Sequence, residues 1–110
     1  MIYLQKHSEY TDSNCVFYYD ENGEFSGSFD VASSVEIWDL EVFEQYRGKR
    51  YCEKMITEYF DTYNPDFMVL WVEENNSSAR KAYERMGFIY VENLEYPEFD
   101  LLKMKKENHG

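Results

Sequence analysis

The sequence predicts a mixed α/β (α+β) fold with a mostly antiparallel central sheet and two main helices. Three local patterns indicate it. Two aromatic-rich runs flank an Asn22-Gly23 pair, which is a strong signal for a β-hairpin. Apolar residues recur at helical spacing over residues 48–63. Residues 67–72 form an unbroken apolar run, short enough to be a strand covered on both faces and therefore central in the sheet.

Turn and capping residues set the predicted ends of these elements. Asn64-Pro65 ends the first helix, Asn75 or Asn76 caps the second, and Gly87 supplies its left-handed stop. The run before the first helix alternates apolar and acidic residues imperfectly, so it is a strand with polar groups on at least one face. In chain order we expect a short strand within residues 1–14, hairpin strands at 15–19 and 25–29, a strand at 35–42, a helix at 48–63, a strand at 67–72, a helix at 76–86, and strands at 88–92 and 99–105.

The whole chain, residues 1–110, is predicted to be one domain, because a chain of this length can bury its own core. Its core spans about residues 15–105, and residues 106–110 are a loose tail. No apolar run approaches the length of a membrane span, and the first six residues lack the order of a secretory signal, so we expect a cytoplasmic protein without membrane contact.

Cysteine and histidine usage argues against a metal centre. Cys15 and Cys52 lack metal-ligand spacing, and we expect both to be reduced thiols. His7 and His109 lie near the termini without Cys or acidic partners at ligand spacing, so the sequence supports neither a metal site nor a catalytic triad.

Charge is distributed unevenly along the chain. The formal net charge is −11, and residues 1–46 carry ten acidic residues but a single base, Lys6. Seven of the eleven lysines and arginines fall within residues 47–54 and 80–85. Positive charge gathered in this way indicates an anion-binding site, although the same residues could only decorate solvated helix faces. The acidic surface disfavours nucleic acid and favours basic partners.

Two segments carry the most specific signal. The first runs from a strand through a basic turn, defined as residues 47–52 (Arg-Gly-Lys-Arg-Tyr-Cys), into a helix. Such a turn presents free backbone N–H groups and a positive helix end to a phosphate. The second, residues 76–88, is a short helix that begins with Asn, carries Tyr83 and is followed by Gly-Phe. Together they resemble the acetyl-CoA-binding core of the GNAT superfamily of N-acetyltransferases.

The chain departs from the family pattern in two places. The family's phosphate-binding turn reads Arg/Gln-x-x-Gly-x-Gly/Ala, and here Arg47, Arg50 and Cys52 occupy the three defining positions, so only the first matches. Residues 1–14 can hold one strand but not the two helices that normally form a wall of the acceptor site. The acceptor pocket is therefore expected to be open or completed by another chain. An aromatic content of 19% leaves room for a homodimer surface.

The resemblance implies a set of acetyl-CoA contacts. The N–H groups of residues 48–52 would hold the pyrophosphate, and Leu40 and Val42 would pair with the pantetheine arm as an added strand does. Arg50 can be read in two ways: with ordinary helical dihedrals its side chain points outward and can pair with a phosphate, whereas a need for a side-chain-free surface would close the site. The expected contacts are Leu40, Val42, Arg47, Gly48, Lys49, Arg50, Tyr51, Cys52, Asn76, Ala79 and Tyr83.

The resemblance also implies catalytic roles. The Val42 N–H would stabilise the oxyanion, and the Tyr83 phenol would protonate the leaving thiolate. The alternative is that Tyr83 is a core tyrosine, one of the eleven tyrosines in the chain. Glu36 occupies the place where some protein-acetylating members carry their general base, and Asp39 and Glu41 on the same strand are rivals.

The sequence therefore predicts an acetyl-CoA-dependent N-acetyltransferase that acetylates a primary amine. The open acceptor side favours a large basic acceptor, such as a protein lysine or N-terminus. The alternative is an inactive GNAT-shaped binding protein, whose acidic first half occupies a basic, nucleic-acid-binding surface of a partner.

Overall fold

The computed structural model describes residues 1–6, 13–95 and 100–108. In this part of the chain, seven strands form one sheet, with two α-helices beside it. The elements are β1 (Ile2–Lys6), β2 (Ser13–Tyr19), β3 (Phe25–Ala32), β4 (Glu36–Val42), α1 (Tyr51–Tyr63), β5 (Phe67–Glu73), α2 (Ser77–Arg85), β6 (Ile89–Glu95) and β7 (Asp100–Glu107).

The sheet has the strand order β1-β2-β3-β4-β5-β7-β6. Every neighbouring pair is antiparallel except β4–β5, which is parallel. The predicted fold class and the predicted order of strands and helices are both confirmed. β5 lies inside the sheet between β4 and β7, as its unbroken apolar run predicts.

The predicted hairpin forms between β2 and β3. The Asp20 N–H donates to the Glu24 carbonyl at 2.9 Å, and Gly23 has a φ of 77°, which glycine adopts without steric cost. The Asp20 carboxylate accepts the N–H groups of Asn22 and Glu24, each at 2.9 Å. A carboxylate thus closes the turn, which fixes its acidic residues in place.

Both helices pack on the same face of the sheet. On β5, Met68, Leu70 and Val72 point into this core and join the buried faces of α1 and α2. No helix that the structure describes covers the opposite face, which we call the helix-free face. Alternation along the strands places Val69 and Trp71 on the helix-free face.

Capping explains where the helices begin and end. The Asn76 side chain accepts the Ala79 N–H at 3.3 Å, and Gly87, with a φ of 98°, ends α2 as predicted. There the N–H groups of Gly87 and Phe88 donate to the last carbonyls of the helix. The predicted start of the first helix at Gly48 is wrong, because the left-handed dihedrals of Gly48 and Arg50 delay α1 until Tyr51.

The last strand is longer than predicted. β7 continues to Glu107, so the chain from residue 106 is not all a loose tail. The Asn108 N–H donates to the Asp66 carbonyl at 2.9 Å, which ties this end to the loop before β5. Both cysteines are free, as expected. The histidines at positions 7 and 109 and the predicted strand start at residue 99 lie outside the described residues.

Among the described residues, no helix is long and apolar enough to cross a membrane.

Candidate active site

The parallel strands β4 and β5 separate soon after they meet. They share one register pair, Glu36 with Val69, and the Val69 N–H donates to the Val35 carbonyl at 2.9 Å. Beyond this pair the facing edges of the two strands have no ladder bonds to each other. The opening between them, which we call the β4–β5 split, widens toward Val42 and exposes unpaired backbone groups able to pair with an extended ligand.

A β-bulge in β4 accompanies the split. Ser28 pairs with Glu41 and Asp30 with Trp38, so two residues of β4 oppose one residue of β3. Asp39, one of the two, has a φ of 51°. A bulge of this kind increases local twist, which turns the end of β4 away from β5.

Register places the backbone of Val42 toward the split. Val42 pairs with Gly27, and the next residue, Phe43, donates its N–H to the Ser26 carbonyl at 3.0 Å. Because antiparallel strands alternate between bonded and non-bonded pairs, the Val42 N–H and carbonyl point away from β3. In the described part of the chain that N–H has no acceptor. The geometry fits an oxyanion donor, and the role stays a prediction.

The basic turn leaves a run of N–H groups unpaired. α1 has no side-chain cap, and the N–H of Lys54 is the first to bond backward, to the Arg50 carbonyl at 3.1 Å. The N–H groups of residues 48–53 donate to no acceptor among the described residues. A helix of 13 residues with a free, positively polarised end fits the pyrophosphate that the sequence predicts there.

The backbone of Arg50 contradicts the first of the two readings of the sequence. Its φ of 60° and ψ of 30° are left-handed, so the ordinary helical dihedrals considered above are wrong. Such a conformation costs a side-chain-bearing residue roughly 1–2 kcal/mol relative to glycine. The Arg50 side chain is exposed at the surface.

Arg47 connects the basic turn to the split. Its Nε donates to the Val42 carbonyl at 2.9 Å, which joins the start of the turn to the end of β4. The cation of Lys49 lies 5.9 Å from the ring centroid of Tyr46, and Tyr46 stacks on Tyr51. The side chains of Arg47 and Lys49 thus lie at the wide end of the split.

The acidic hairpin turn borders the basic turn. Tyr46 donates its hydroxyl to Glu24 at 2.7 Å, and this bond raises the pKa of Tyr46 to about 12. Tyr51 donates to Asp20 at 3.3 Å. The pKa of Asp20 is lowered chiefly by the Glu24 N–H, with smaller contributions from Tyr51 and the charge of Lys49. Part of the positive potential of the basic turn is therefore balanced by neighbouring carboxylates.

Tyr83 and Cys52 face each other where the two helices meet. Tyr83 is only 9% exposed as a whole residue, and its hydroxyl has no partner within the described residues. Because no fully buried side-chain oxygen in that part of the chain lacks a partner, the hydroxyl oxygen reaches solvent. Burial, and to a lesser degree the neighbouring Cys52, raises the Tyr83 pKa, so the phenol stays protonated. Burial likewise raises the pKa of Cys52 to about 12. Glu53 and Arg85 bridge the helices beside this contact, with atoms 2.7 Å apart.

The remaining predicted contacts are spread around the site. Leu40 and Ala79 are half-buried and pack against the core. The Asn76 oxygen is occupied by the Ala79 N–H, which leaves its NH₂ group for a ligand. Their roles in acetyl-CoA binding stay predictions.

The three candidate bases occupy different places along β4. Glu36 lies at the narrow end of the split, where its Oε1 accepts the indole N–H of Trp38 at 3.2 Å. Val42 lies six positions further along the strand, which corresponds to roughly 20 Å in a regular strand without a bulge. Glu41 is exposed next to Val42, and Asp39 is exposed in the bulge. The structure does not bring Glu36 beside Val42, so a direct proton transfer favours Glu41.

Sequence reasoning missed a tryptophan pair in this region. Trp38 of β4 and Trp71 of β5 stack with ring centroids 4.3 Å apart and planes 14° apart. They are the only two tryptophans of the chain. Their positions in two strands expected to flank the cofactor are a signal that could have found them.

Residues 2–88 match the model of the acetyltransferase (GNAT) family. No curated protein sequence matches the chain. Among solved structures, a mutant spermidine N-acetyltransferase from Vibrio cholerae has a TM-score of 0.76 at 17% identity, covering 88% of this chain and 66% of that one. The dodecameric form of that enzyme has a TM-score of 0.76 at 18% identity, covering 93% and 68%.

Nourseothricin acetyltransferase is also similar, with a TM-score of 0.70 at 22% identity over 88% of this chain and 66% of that one. The chain spans about two thirds of the length of these solved structures. Likeness at such identities establishes a shared fold.

Proposed function

The chain belongs to the acetyltransferase (GNAT) family of acetyl-CoA-dependent N-acetyltransferases, and on that premise we propose that it acetylates a primary amine on a basic polypeptide. Acetyl-CoA is the cosubstrate of this family. The observation that supports the proposal is the meeting of two features at one place. The unpaired N–H groups of residues 48–53 lie at the wide end of the β4–β5 split, beside the unpaired N–H of Val42.

These features supply what an acyl transfer from a thioester requires. The start of α1 binds the pyrophosphate, and the free edge of β4 pairs with the extended arm that leads to the thioester. The Val42 N–H then stabilises negative charge on the carbonyl oxygen during attack. All three contacts come from backbone groups, so they survive the loss of the family's glycines at positions 50 and 52.

The proton transfers of the reaction identify the side chains that it needs. An acceptor ammonium loses a proton to a carboxylate of β4, and its nitrogen then forms a bond to the acetyl carbon as the carbon–sulfur bond breaks. The departing thiolate takes the proton of Tyr83, and the second proton that the nitrogen loses as the amide forms passes to the Tyr83 oxygen, which restores the phenol. Glu36 is the base that the family resemblance implies, acting through water, and Glu41 is its rival because it adjoins Val42.

A basic acceptor is supported by charge and by access. The first 46 residues carry ten acidic side chains against one lysine, and the eight acids among the described residues lie in the hairpin, β4 and the short turn after it, which flank the site. The helix-free face leaves the split open on one side among the described residues, which suits a polypeptide better than an enclosed metabolite. The spermidine enzymes of similar fold act on a cationic amine, which agrees with this direction.

One observation supports a second candidate function, an acidic binding protein without catalysis. Carboxylates of the hairpin turn approach the basic turn closely enough for Tyr46 and Tyr51 to donate hydrogen bonds to Glu24 and Asp20. In this reading the acidic half of the chain occupies a basic, nucleic-acid-binding surface of a partner, and the basic turn no longer binds acetyl-CoA.

An acetyl-transfer assay separates the two. The purified protein is incubated with acetyl-CoA and either a lysine-containing peptide, an N-terminal amine peptide or spermidine, and products are identified by mass spectrometry. The proposal expects acetylation of a peptide amine, faster than the uncatalysed reaction. Acetylation of spermidine alone would contradict the polypeptide acceptor, and no product with any amine would favour the binding protein.

A further inference from the structure

The tryptophan pair lies at the narrow end of the β4–β5 split. Trp38 and Trp71 each follow by two residues the single register pair that joins the strands, Glu36 with Val69. Both therefore stand on the helix-free face and stack across the opening, with centroids 4.3 Å apart. This is the side of the sheet from which an acceptor can reach the split.

One end of the stack already holds a cation. Lys103, which pairs with Trp71 in the β5–β7 ladder, places its ammonium 5.7 Å from the Trp71 ring centroid. At the other end, Trp38 is 42% exposed, and its indole N–H is held by Glu36. The exposed indole of Trp38 and the carboxylate of Glu36 could hold a cation as Trp71 does, but no cation of the described residues lies over the Trp38 ring.

We propose that Trp38, with Glu36 at its edge, is a subsite for a second cation of the acceptor, a lysine or arginine side chain flanking the amine that is acetylated. The proposal rests on the proposed function with Glu41, which adjoins Val42, as the base, because Glu36 here holds the second cation. An ammonium or guanidinium over an indole face is attracted by the ring quadrupole, and a nearby carboxylate adds Coulomb attraction. Arginine suits the site especially well, because its planar group also stacks.

The reach of a peptide matches the spacing along β4. Across the bulge, Trp38 pairs with Asp30 and Val42 with Gly27, so the two positions of β4 are three residues of β3 apart, about 10 Å. In an extended peptide, residues two apart are about 7 Å apart, and the lengths of two basic side chains cover the remainder. A cation two or three residues from the acetylated lysine therefore reaches Trp38 while the reactive amine lies at Val42.

The first test reads the subsite directly and needs no turnover. Because the chain contains two tryptophans and both belong to the stack, tryptophan fluorescence, excited at a wavelength that tyrosine does not absorb, reports on this site alone. Two terminally blocked peptides are titrated, identical except for an arginine or its uncharged analogue citrulline two residues from the lysine. The proposal expects the arginine peptide to reach its half-maximal fluorescence change at about fivefold lower concentration than the citrulline peptide. This difference between the two peptides should shrink at high salt.

The second test follows selectivity in acetyl transfer. In the Trp38→Leu variant, the ratio of kcat/KM for the arginine peptide over the citrulline peptide should fall about fivefold, toward one. Tyr63→Leu is the matched control, since Tyr63 is a similarly exposed aromatic (44%) on α1, and it should keep the wild-type ratio. If Trp38→Leu is not folded by circular dichroism, Trp38→Gln replaces it.

The outcomes separate the subsite from the reaction. Equal fluorescence titrations for the two peptides, or a selectivity ratio unaffected by the Trp38 substitution, would overturn the subsite. Spermidine outcompeting the arginine peptide in the fluorescence titration would overturn its assignment to a peptide. If no peptide is acetylated, the proposed function fails, while the wild-type fluorescence comparison still decides whether the subsite exists.

Discussion

Tyr83 illustrates how one residue can serve both the core and the chemistry. Its ring fills the space between the helices and packs edge-on against Phe88. Its hydroxyl has no hydrogen-bond partner within the described residues, and no fully buried side-chain oxygen there lacks one, so the hydroxyl oxygen reaches solvent although the ring is buried. A hydroxyl open to solvent at the edge of a buried ring is accessible to a ligand, whereas that of Tyr59 is already paired with the Ser34 carbonyl.

The Tyr83→Phe substitution tests this role. Phenylalanine keeps the ring, so we expect the fold and acetyl-CoA affinity to persist while kcat falls by roughly 100-fold or more, within the range of about 10²- to 10⁴-fold typical of a lost acid catalyst. Steady-state kinetics measure kcat and KM separately. Tyr59→Phe is the matched control and should leave kcat unchanged; a Tyr83→Phe enzyme with wild-type kcat would place Tyr83 in the core alone.

At the scale of elements, the start of α1 carries the main departure from the family pattern. The turn needs left-handed residues at positions 48 and 50, and the sequence provides glycine only at the first. The second is an arginine, which accepts the conformation at an energetic cost.

Arg50→Gly should raise the free energy of unfolding by about 1 kcal/mol, because glycine adopts the left-handed conformation without the Cβ clash. Arg50→Ala keeps the clash and removes the charge, so it should not stabilise the protein. Thermal or urea denaturation of both variants measures the difference. A glycine variant no more stable than the alanine variant would show that the turn does not impose this conformation.

Gly27 sets how closely β3 and β4 approach α1. A Cβ there would lie 2.4 Å from the Glu41 carbonyl oxygen and 3.1 Å from Sδ of Met55. Gly27→Ala must move β4, the strand that carries Val42, so we expect a loss of about 2 kcal/mol of unfolding free energy and weaker acetyl-CoA binding. Urea denaturation checks this against Ser28→Ala on the helix-free face; equal stability of the two variants would contradict it.

Local signals predicted most of these elements, and tertiary effects explain what they missed. The hairpin turn, β5 and the cap of α2 follow from short runs of sequence, and each lies where it was predicted. The delayed start of α1 and the bulge in β4 depend on left-handed residues, Arg50 and Asp39, whose side chains normally avoid that conformation. The tryptophan stack requires knowledge of the β4–β5 register, which no local pattern supplies.

At the scale of the whole molecule, charge and access act together. The acidic hairpin borders the basic turn, so the phosphate site lies within a negative surface rather than on a positive patch. That arrangement repels polyanions such as nucleic acids while the local N–H groups still bind a pyrophosphate. It also attracts cationic acceptors to the open side of the sheet.

Alkaline pH should destabilise the protein. Burial raises the pKa of Cys52 from 9.0 to about 12 and raises that of Tyr83 as well. Above pH 9 the unfolded chain releases these protons at ordinary values while the folded chain retains them, so unfolding free energy falls as pH rises. Urea midpoints at about pH 8 and about pH 10.5 measure this fall in unfolding free energy, which should be smaller for Cys52→Ala than for the wild type. An equal fall in the two proteins would contradict the prediction.

The central claim is that the basic turn at the wide end of the split binds acetyl-CoA. Isothermal titration of the wild type with acetyl-CoA tests it most directly, beside an Arg47→Ala, Lys49→Ala double variant. A Lys105→Ala, Lys106→Ala variant on β7 removes the same charge elsewhere and serves as the control. We predict micromolar binding by the wild type and the control, and loss of binding by the Arg47/Lys49 variant. No heat from the wild type at millimolar acetyl-CoA would contradict the account and leave an acidic binding protein.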